Sequence, residues 1–197
     1  MSDNENKLSE RFEQALVYAT QLHSKQKRKG TNIPYVAHLL TVAALVLEQG
    51  GGEDEAIAAL LHDAVEDQGG LPTQEEIRRR FGERVTEIVI GCTDADTFPK
   101  PPWRERKEHY IAHILTAPLE VRRVSMADKL HNARSVLIDF RQHGHKVWQR
   151  FRGGREGTLW YYREMVKAFQ ETGGGAIVDE LDRVVSELEH LAATTAE

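Results

Sequence analysis

Leu60-Leu61-His62-Asp63-Ala64-Val65-Glu66-Asp67 is the stretch on which the reading of the chain turns. It continues an Ala/Leu-rich run that begins at Glu53 and stops at Gly69-Gly70, which predicts one helix from Glu53 to Asp67. Four polar side chains interrupt an otherwise apolar helix. At i, i+1, i+4 and i+5 they fall in two neighbouring rows on one side, His62 below Glu66 and Asp63 below Asp67. Three of them are acids, so their repulsion calls for either a cation among them or open solvent. Taken alone, the cluster also reads as a solvated helix end.

Helical spacing extends in both directions. Leu8, Phe12, Ala15, Leu16, Ala19 and Leu22 predict a first helix over Lys7 to Lys27. Pro34 suits the first turn of a second, Tyr35 to Gln49, which ends at Gly50-Gly51-Gly52. Downstream, Thr73 and Glu76 form a capping box for a helix over Gln74 to Phe81, with Gly82 as its C-cap. Glu83 to Cys92 reads as helix rather than strand. Asp94 to Pro102, with three prolines, is a loop. Helices follow over Trp103 to Leu115 and from Pro118 to Asp139. Gly144 to Gly157 is a connection, and Thr158 to Glu171 and Ala176 to Leu191 are the closing helices. No stretch alternates with period two, so the expected fold class is all-α, a compact single-domain helical bundle. Residues 1–175 are expected to form the main domain, with a C-terminal helix and frayed tail, 176–197, packed on it.

Composition narrows the function classes. Hydrophobic residues at 40% and charged residues at 29% fit a globular chain. No apolar run approaches the roughly 18 residues of a membrane span, and Met1 to Lys7 is polar, unlike a signal peptide. A cytoplasmic protein is expected. The lone cysteine, Cys92, excludes an internal disulfide and a thiolate-rich zinc site. A net charge of −5 argues against a nucleic-acid polymer as partner. Lys25, Lys27, Arg28 and Lys29 nevertheless form a local cationic run, readable as a solvated helix end or as a phosphate-binding patch.

Two further positions turn the His62-Asp63 cluster into a ligand set. His38 lies on the preceding predicted helix. Asp128 interrupts another apolar helical surface, with Asn132 one turn on. Two imidazoles and two carboxylates suit manganese, iron, zinc or cobalt better than calcium. Four protein ligands leave room for water and substrate on a six-coordinate ion. Glu66 and Asp67 are spaced to orient that water and move its proton.

His38, His62-Asp63 and Asp128 resemble the metal ligands of the HD superfamily of phosphohydrolases. Gln26-Lys27-Arg28-Lys29, Pro34-Tyr35-Val36-Ala37-His38, Leu61 to Asp67 and Ala127 to Arg134 together resemble the hydrolase domain of RelA/SpoT-type enzymes. The chain has no room for their synthetase and regulatory domains. It looks like a stand-alone small alarmone hydrolase of the metazoan SpoT-homologue kind. The resemblance implies an HD-type helical domain with one Mn2+ held by His38, His62, Asp63 and Asp128, and an acid/base pair formed by Glu66 and Asp67. It further implies that Arg28 and Lys29 meet the phosphates or the base, that Lys100 contacts a phosphate, that Asn132 holds the ribose or the ligand sphere, and that Arg134 supports its helix or the substrate. The implied reaction removes the 3′-pyrophosphate of ppGpp, by a monomer or homodimer. The same residues also admit ppApp, NADPH or another nucleotide as substrate, or a non-catalytic nucleotide-sensing module. Trp160, Tyr161 and Tyr162 read more readily as core than as a base-stacking wall.

Overall fold

Ser9, itself extended, starts the first helix, its hydroxyl accepting from the Arg11 amide at 3.2 Å in the computed structural model, which describes residues 7–94 and 101–195. The described residues contain helices and no strand, as the patterning predicts. They divide into two compact units, one of residues 1–100 with 117–127 and one of residues 101–116 with 128–197.

In the first unit, α1 (Glu10–Leu22) is five residues shorter at its end than its apolar rhythm predicts. The backbone of the next segment bonds across a turn instead of up a helix. Tyr35 donates to the Gln26 carbonyl at 3.0 Å and Arg28 to that of Ile33 at 2.9 Å, with an antiparallel bridge between Lys27 and Pro34. Gly30, at φ 75°, makes the left-handed corner. The cationic run therefore lies on a turn and not at a helix end.

α2 (Val36–Glu48) buries His38, Leu39, Val42, Ala43 and Val46. α3 (Glu53–Leu61) is buried along the whole of Glu55 to Leu61 and packs against α1, α2 and α6 (Glu83–Cys92). Its alanines offer methyl groups on all sides, which is what a helix enclosed by three others requires. Glu55, itself buried, accepts from the Gly52 amide at 2.7 Å and pairs with Arg123. Both of its oxygens are thereby satisfied at the start of the helix.

The single helix expected over Glu53 to Asp67 is interrupted. α3 stops at Leu61, Asp63 moves to φ −97°, ψ −2°, and a separate turn, α4 (Ala64–Asp67), follows. The His62 ring explains the break. Its Nδ1 lies 2.7 Å from the Ala59 carbonyl oxygen, the acceptor an unbroken helix would give to the Asp63 amide. The Asp67 amide still bonds the Asp63 carbonyl at 2.9 Å, so these two acids keep their i, i+4 relation.

α5 (Leu71–Phe81) starts three residues before the expected Gln74, using Pro72 in its first turn. Thr73 is therefore inside the helix and donates to the Gln68 carbonyl at 2.9 Å in place of a capping box. α6 matches its expected bounds, and the strand alternative is excluded.

The second unit contains α7 (Trp103–Thr116), the second part of α8 (Leu119–His143), a 3-10 turn Gly144–Arg150, α9 (Gly154–Glu171) and α10 (Ala176–Thr194). The expected connection Gly144 to Gly157 is thus largely ordered helix. α10 runs three residues past its predicted end. α9 packs on α7 and α10 through Met165, Phe169, Leu181 and Leu188. Arg163 joins Asp182 at 2.5 Å and Glu189 at 2.6 Å across the α9–α10 pair. No helix among the described residues is long and apolar enough to cross a membrane.

Gly91 on α6 faces Val121 so closely that an added Cβ would sit 2.7 Å from Val121 Cγ2. Gly91→Ala is expected to cost about 1–3 kcal/mol by overpacking, read as a lower urea midpoint. In a double-mutant cycle, Val121→Ala should recover at least about 1 kcal/mol of that loss. Strict additivity of the two changes would show that the contact does not limit helix approach.

Candidate metal and acid-base site

Asp63 Oδ2 is the point of convergence in the first unit. His62 Nε2 lies 3.0 Å from it and His38 Nε2 lies 3.6 Å away, and the Tyr35 hydroxyl donates to the same oxygen. The two imidazoles meet edge to face, with centroids 5.1 Å apart. His38 is 1% exposed and His62 is 3% exposed. The contact with the Ala59 carbonyl puts a proton on His62 Nδ1 and turns Nε2 to a carboxylate oxygen. At 3.0 Å these two atoms attract only with a proton or a metal ion between them. A divalent metal fits that requirement, and the second-nitrogen bond to a backbone carbonyl is the usual support of a metal-binding histidine.

Asp67 follows Asp63 by one helical turn. Its Oδ2 accepts from Gln26 Nε2 at 2.8 Å. Desolvation raises its pKa above the usual carboxylate value, the like charge of Asp63 adds to the rise, and the Gln26 hydrogen bond opposes it. Glu66 is half-buried on the same short helix. Gln26 Oε1 receives His23 Nδ1 at 2.7 Å and also the side-chain amide of Gln68. Burial pushes the His23 pKa down, against the pull of Gln26 and the two aspartates, so the ring is neutral near pH 7. His23 stacks on Tyr35, with centroids 5.1 Å apart and planes at 16°. On the turn before α2, the Arg28 guanidinium lies 5.6 Å from the Tyr35 ring centre. Lys29 is exposed, and the Lys27 ammonium instead bonds Asn32 at 2.9 Å. Lys100 lies outside the described residues.

In the second unit, Asp128 is buried on α8. Its Oδ1 accepts from Asn132 Nδ2 at 2.5 Å and its Oδ2 pairs with Lys129. Burial is the largest influence and works against the Lys129 ammonium, but Asp128, Tyr161 and Tyr110 together hold its pKa well above the ordinary lysine value. Arg134 bonds Glu180 at 3.2 Å, a contact that ties α8 to α10. Tyr161 and Tyr162 are buried, whereas Trp160 is half-buried under the Arg104 guanidinium at 3.2 Å. The group among the described residues that could hold an ion is His38, His62 and Asp128. Asp63 stands outside that group while touching both of its histidines.

Tyr35, His23, Gln26, Gln68 and Lys129 are site neighbours that spacing did not single out as contributors. Glutamines and a tyrosine have no periodicity that marks them. The three-residue interval between His23 and Gln26, beside the cationic run, was the one available signal.

The model of the HD domain family matches residues 15–159. The chain belongs to the HD domain family. A relative from Xenopus tropicalis, named guanosine-3′,5′-bis(diphosphate) 3′-pyrophosphohydrolase MESH1, is 40% identical over 126 residues, covering 62% of this chain and 68% of its own length. An Aquifex aeolicus (strain VF5) guanosine-3′,5′-bis(diphosphate) 3′-pyrophosphohydrolase is 36% identical over 140 residues, 70% of this chain but only 19% of that longer protein. A solved structure of a metazoan ortholog of SpoT, described as hydrolysing ppGpp, superposes with a TM-score of 0.75 at 26% identity, covering 93% of this HD-domain chain and 98% of that one.

The causes of the Asp67 shift give a titration with a defined sign. In metal-free protein, the Asp67 carboxyl followed by carbon NMR should titrate above 3.8. Adding a diamagnetic divalent ion should lower that midpoint, because the ion offsets the Asp63 charge. A midpoint unmoved by the ion would separate Asp67 electrically from the histidine cluster.

Proposed function

We propose that this HD-domain protein is a metal-dependent hydrolase that removes the 3′-pyrophosphate of ppGpp. The observation that carries the reading is the convergence of two buried imidazole nitrogens on Asp63, one helical turn before an acid of raised pKa. The names of the relatives supply the substrate class.

His38, His62, Asp63 and Asp128 would hold one ion, and among the transition metals that suit a mixed nitrogen and oxygen set the family resemblance favours Mn2+. When bound, such an ion acidifies water and withdraws electron density from a phosphoryl oxygen. The chain's own groups then have separate tasks. Glu66 and Asp67 orient a water and accept its proton as oxygen adds to the phosphorus attached to the ribose 3′-oxygen. The bond from phosphorus to that 3′-oxygen breaks, and the proton returns to the leaving oxygen, giving GDP and pyrophosphate. Asn132 acts by holding Asp128, and Lys129 balances its charge. Arg28 and Lys29, on a solvent-facing turn, suit phosphate or base contacts better than core packing, and Lys100 is assigned a phosphate. Arg134 supports α8 through Glu180. Residues 1–175 would be the catalytic domain and 176–197 its C-terminal helix and tail. The location of such an enzyme would be the cytoplasm, where nucleotides are plentiful.

The test is turnover by the full chain in manganese buffer on ppGpp, ppApp and NADPH, with pyrophosphate or phosphate release measured. ppGpp should be hydrolysed fastest. Asp63→Asn and His62→Ala should lose both tightly held manganese and activity. Glu66→Gln and Asp67→Asn should keep the metal while kcat falls by roughly 10²–10⁴-fold, the usual contribution of general acid–base catalysis. Equal or faster turnover of ppApp would remove the guanosine preference. Nucleotide binding without turnover of any of the three would favour a sensing module instead.

A further inference from the structure

We propose that His23 and Gln26 are positioning residues for the hydrolytic step, fixing the Asp67 carboxylate through a side-chain amide that can sit in one orientation only. The inference rests on the reading of Asp67 as part of the acid/base pair and assigns the support of that residue.

The orientation follows from counting donors. Gln26 Oε1 faces two nitrogens, His23 Nδ1 at 2.7 Å and the Gln68 amide. A carbonyl oxygen can accept from both. Gln26 Nε2 is then left to donate to Asp67 Oδ2 at 2.8 Å. Turning the Gln26 amide over would set its NH2 against the Gln68 amide donor and its oxygen against a carboxylate, so two favourable contacts would become repulsive, and His23 would keep its bond only by changing tautomer. The Gln68 backbone is itself held, its N–H donating to the Ala64 carbonyl at 2.9 Å and its main-chain carbonyl accepting from the Thr73 hydroxyl, which fixes where the side chain starts.

His23 is the less expected member. It is 2% exposed and belongs to neither the ligand set nor the acid pair. Its Nε2 is buried without a hydrogen-bond partner among the described residues, so the ring's one polar contact side is the one turned to Gln26 and Gln68. A neutral ring that donates through Nδ1 sets the polarity of the whole chain of bonds. The stack of His23 on Tyr35, which in turn donates to Asp63, fixes the same ring from its face. One buried imidazole thus stands behind both carboxylates. A neutral amide against Asp67 has a chemical advantage over a cation. It holds one oxygen by a single bond, leaves Oδ1 as the edge for water, and does not tie the carboxylate into an ion pair that would weaken it as a base.

The experiment uses the full chain with manganese and ppGpp, reading kcat, KM and manganese affinity separately. Gln26→Leu should lower kcat by roughly 10–100-fold, the scale of a misplaced catalytic group, with KM and metal affinity within about threefold. His23→Phe keeps the stack and loses the donor, so it should behave in the same way. His23→Asn restores a nitrogen donor near the Nδ1 position and should recover most of the loss. The deciding arm is Gln26→Leu made in Asp67→Asn, where it should have no further effect. An equal drop in both backgrounds, or a change in KM alone, would overturn the proposal. If Asp67→Asn turns over at the wild-type rate, the acid/base reading fails on its own evidence. The Gln26 side-chain amide signals in NMR then still decide the orientation. They should shift in both Asp67→Ala and His23→Phe, and indifference to either change would refute the bonding scheme.

Discussion

A carboxylate oxygen that faces two imidazole nitrogens inside a packed helical wall is stable only with positive charge between them. That constraint organises the first unit. The alanine-lined α3 brings His62 to the end of a buried helix, and α2 presents His38 from the neighbouring element. The Ala59 carbonyl commits one nitrogen of His62 to a hydrogen bond and thereby turns the other to Asp63. Polar groups are costly in such surroundings unless satisfied, and the hydrogen bonds around Asp63 supply part of that satisfaction.

The break between α3 and α4 is the local expression of the same demand. A continuous helix would spend the Ala59 carbonyl on the backbone and leave the His62 ring free to choose between rotamers. Giving the carbonyl to the ring costs a helical bond and gains a fixed orientation of Nε2 toward Asp63. Asp67 nevertheless stays one turn past Asp63, so the relation between ligand and acid survives the interruption.

Much of this was legible in the residues. An acid or histidine placed in an Ala/Leu-rich run contradicts its surroundings, and His38, His62, Asp63 and Asp128 all announced themselves in that way. The all-α class followed from spacing. The helix interruption did not, because it arises from a side chain competing with its own backbone, which periodicity does not register. The end of α1 was misplaced for a related reason. Lys25 to Lys29 are acceptable helix formers, and only the cross-turn bonds to Ile33 and Tyr35 draw them away. Spacing gives no role to His23, Gln26 or Tyr35, because what each does depends on which atom it faces.

The alanines of α3 have a further consequence. Ala56, Ala58 and Ala59 are fully buried between α1, α2 and α6, so methyl groups act as the spacers that set how far the His38-bearing helix stands from His62. Metal–oxygen distances differ by only a few tenths of an ångström between ions, about 2.1 Å for magnesium against about 2.4 Å for calcium. A change of one methylene behind the two histidines is several times larger than that difference, more than enough to alter their spacing. The spacing of His38 and His62, and with it any preference for one ionic radius over another, would therefore be adjustable from the alanine methyl groups of α3.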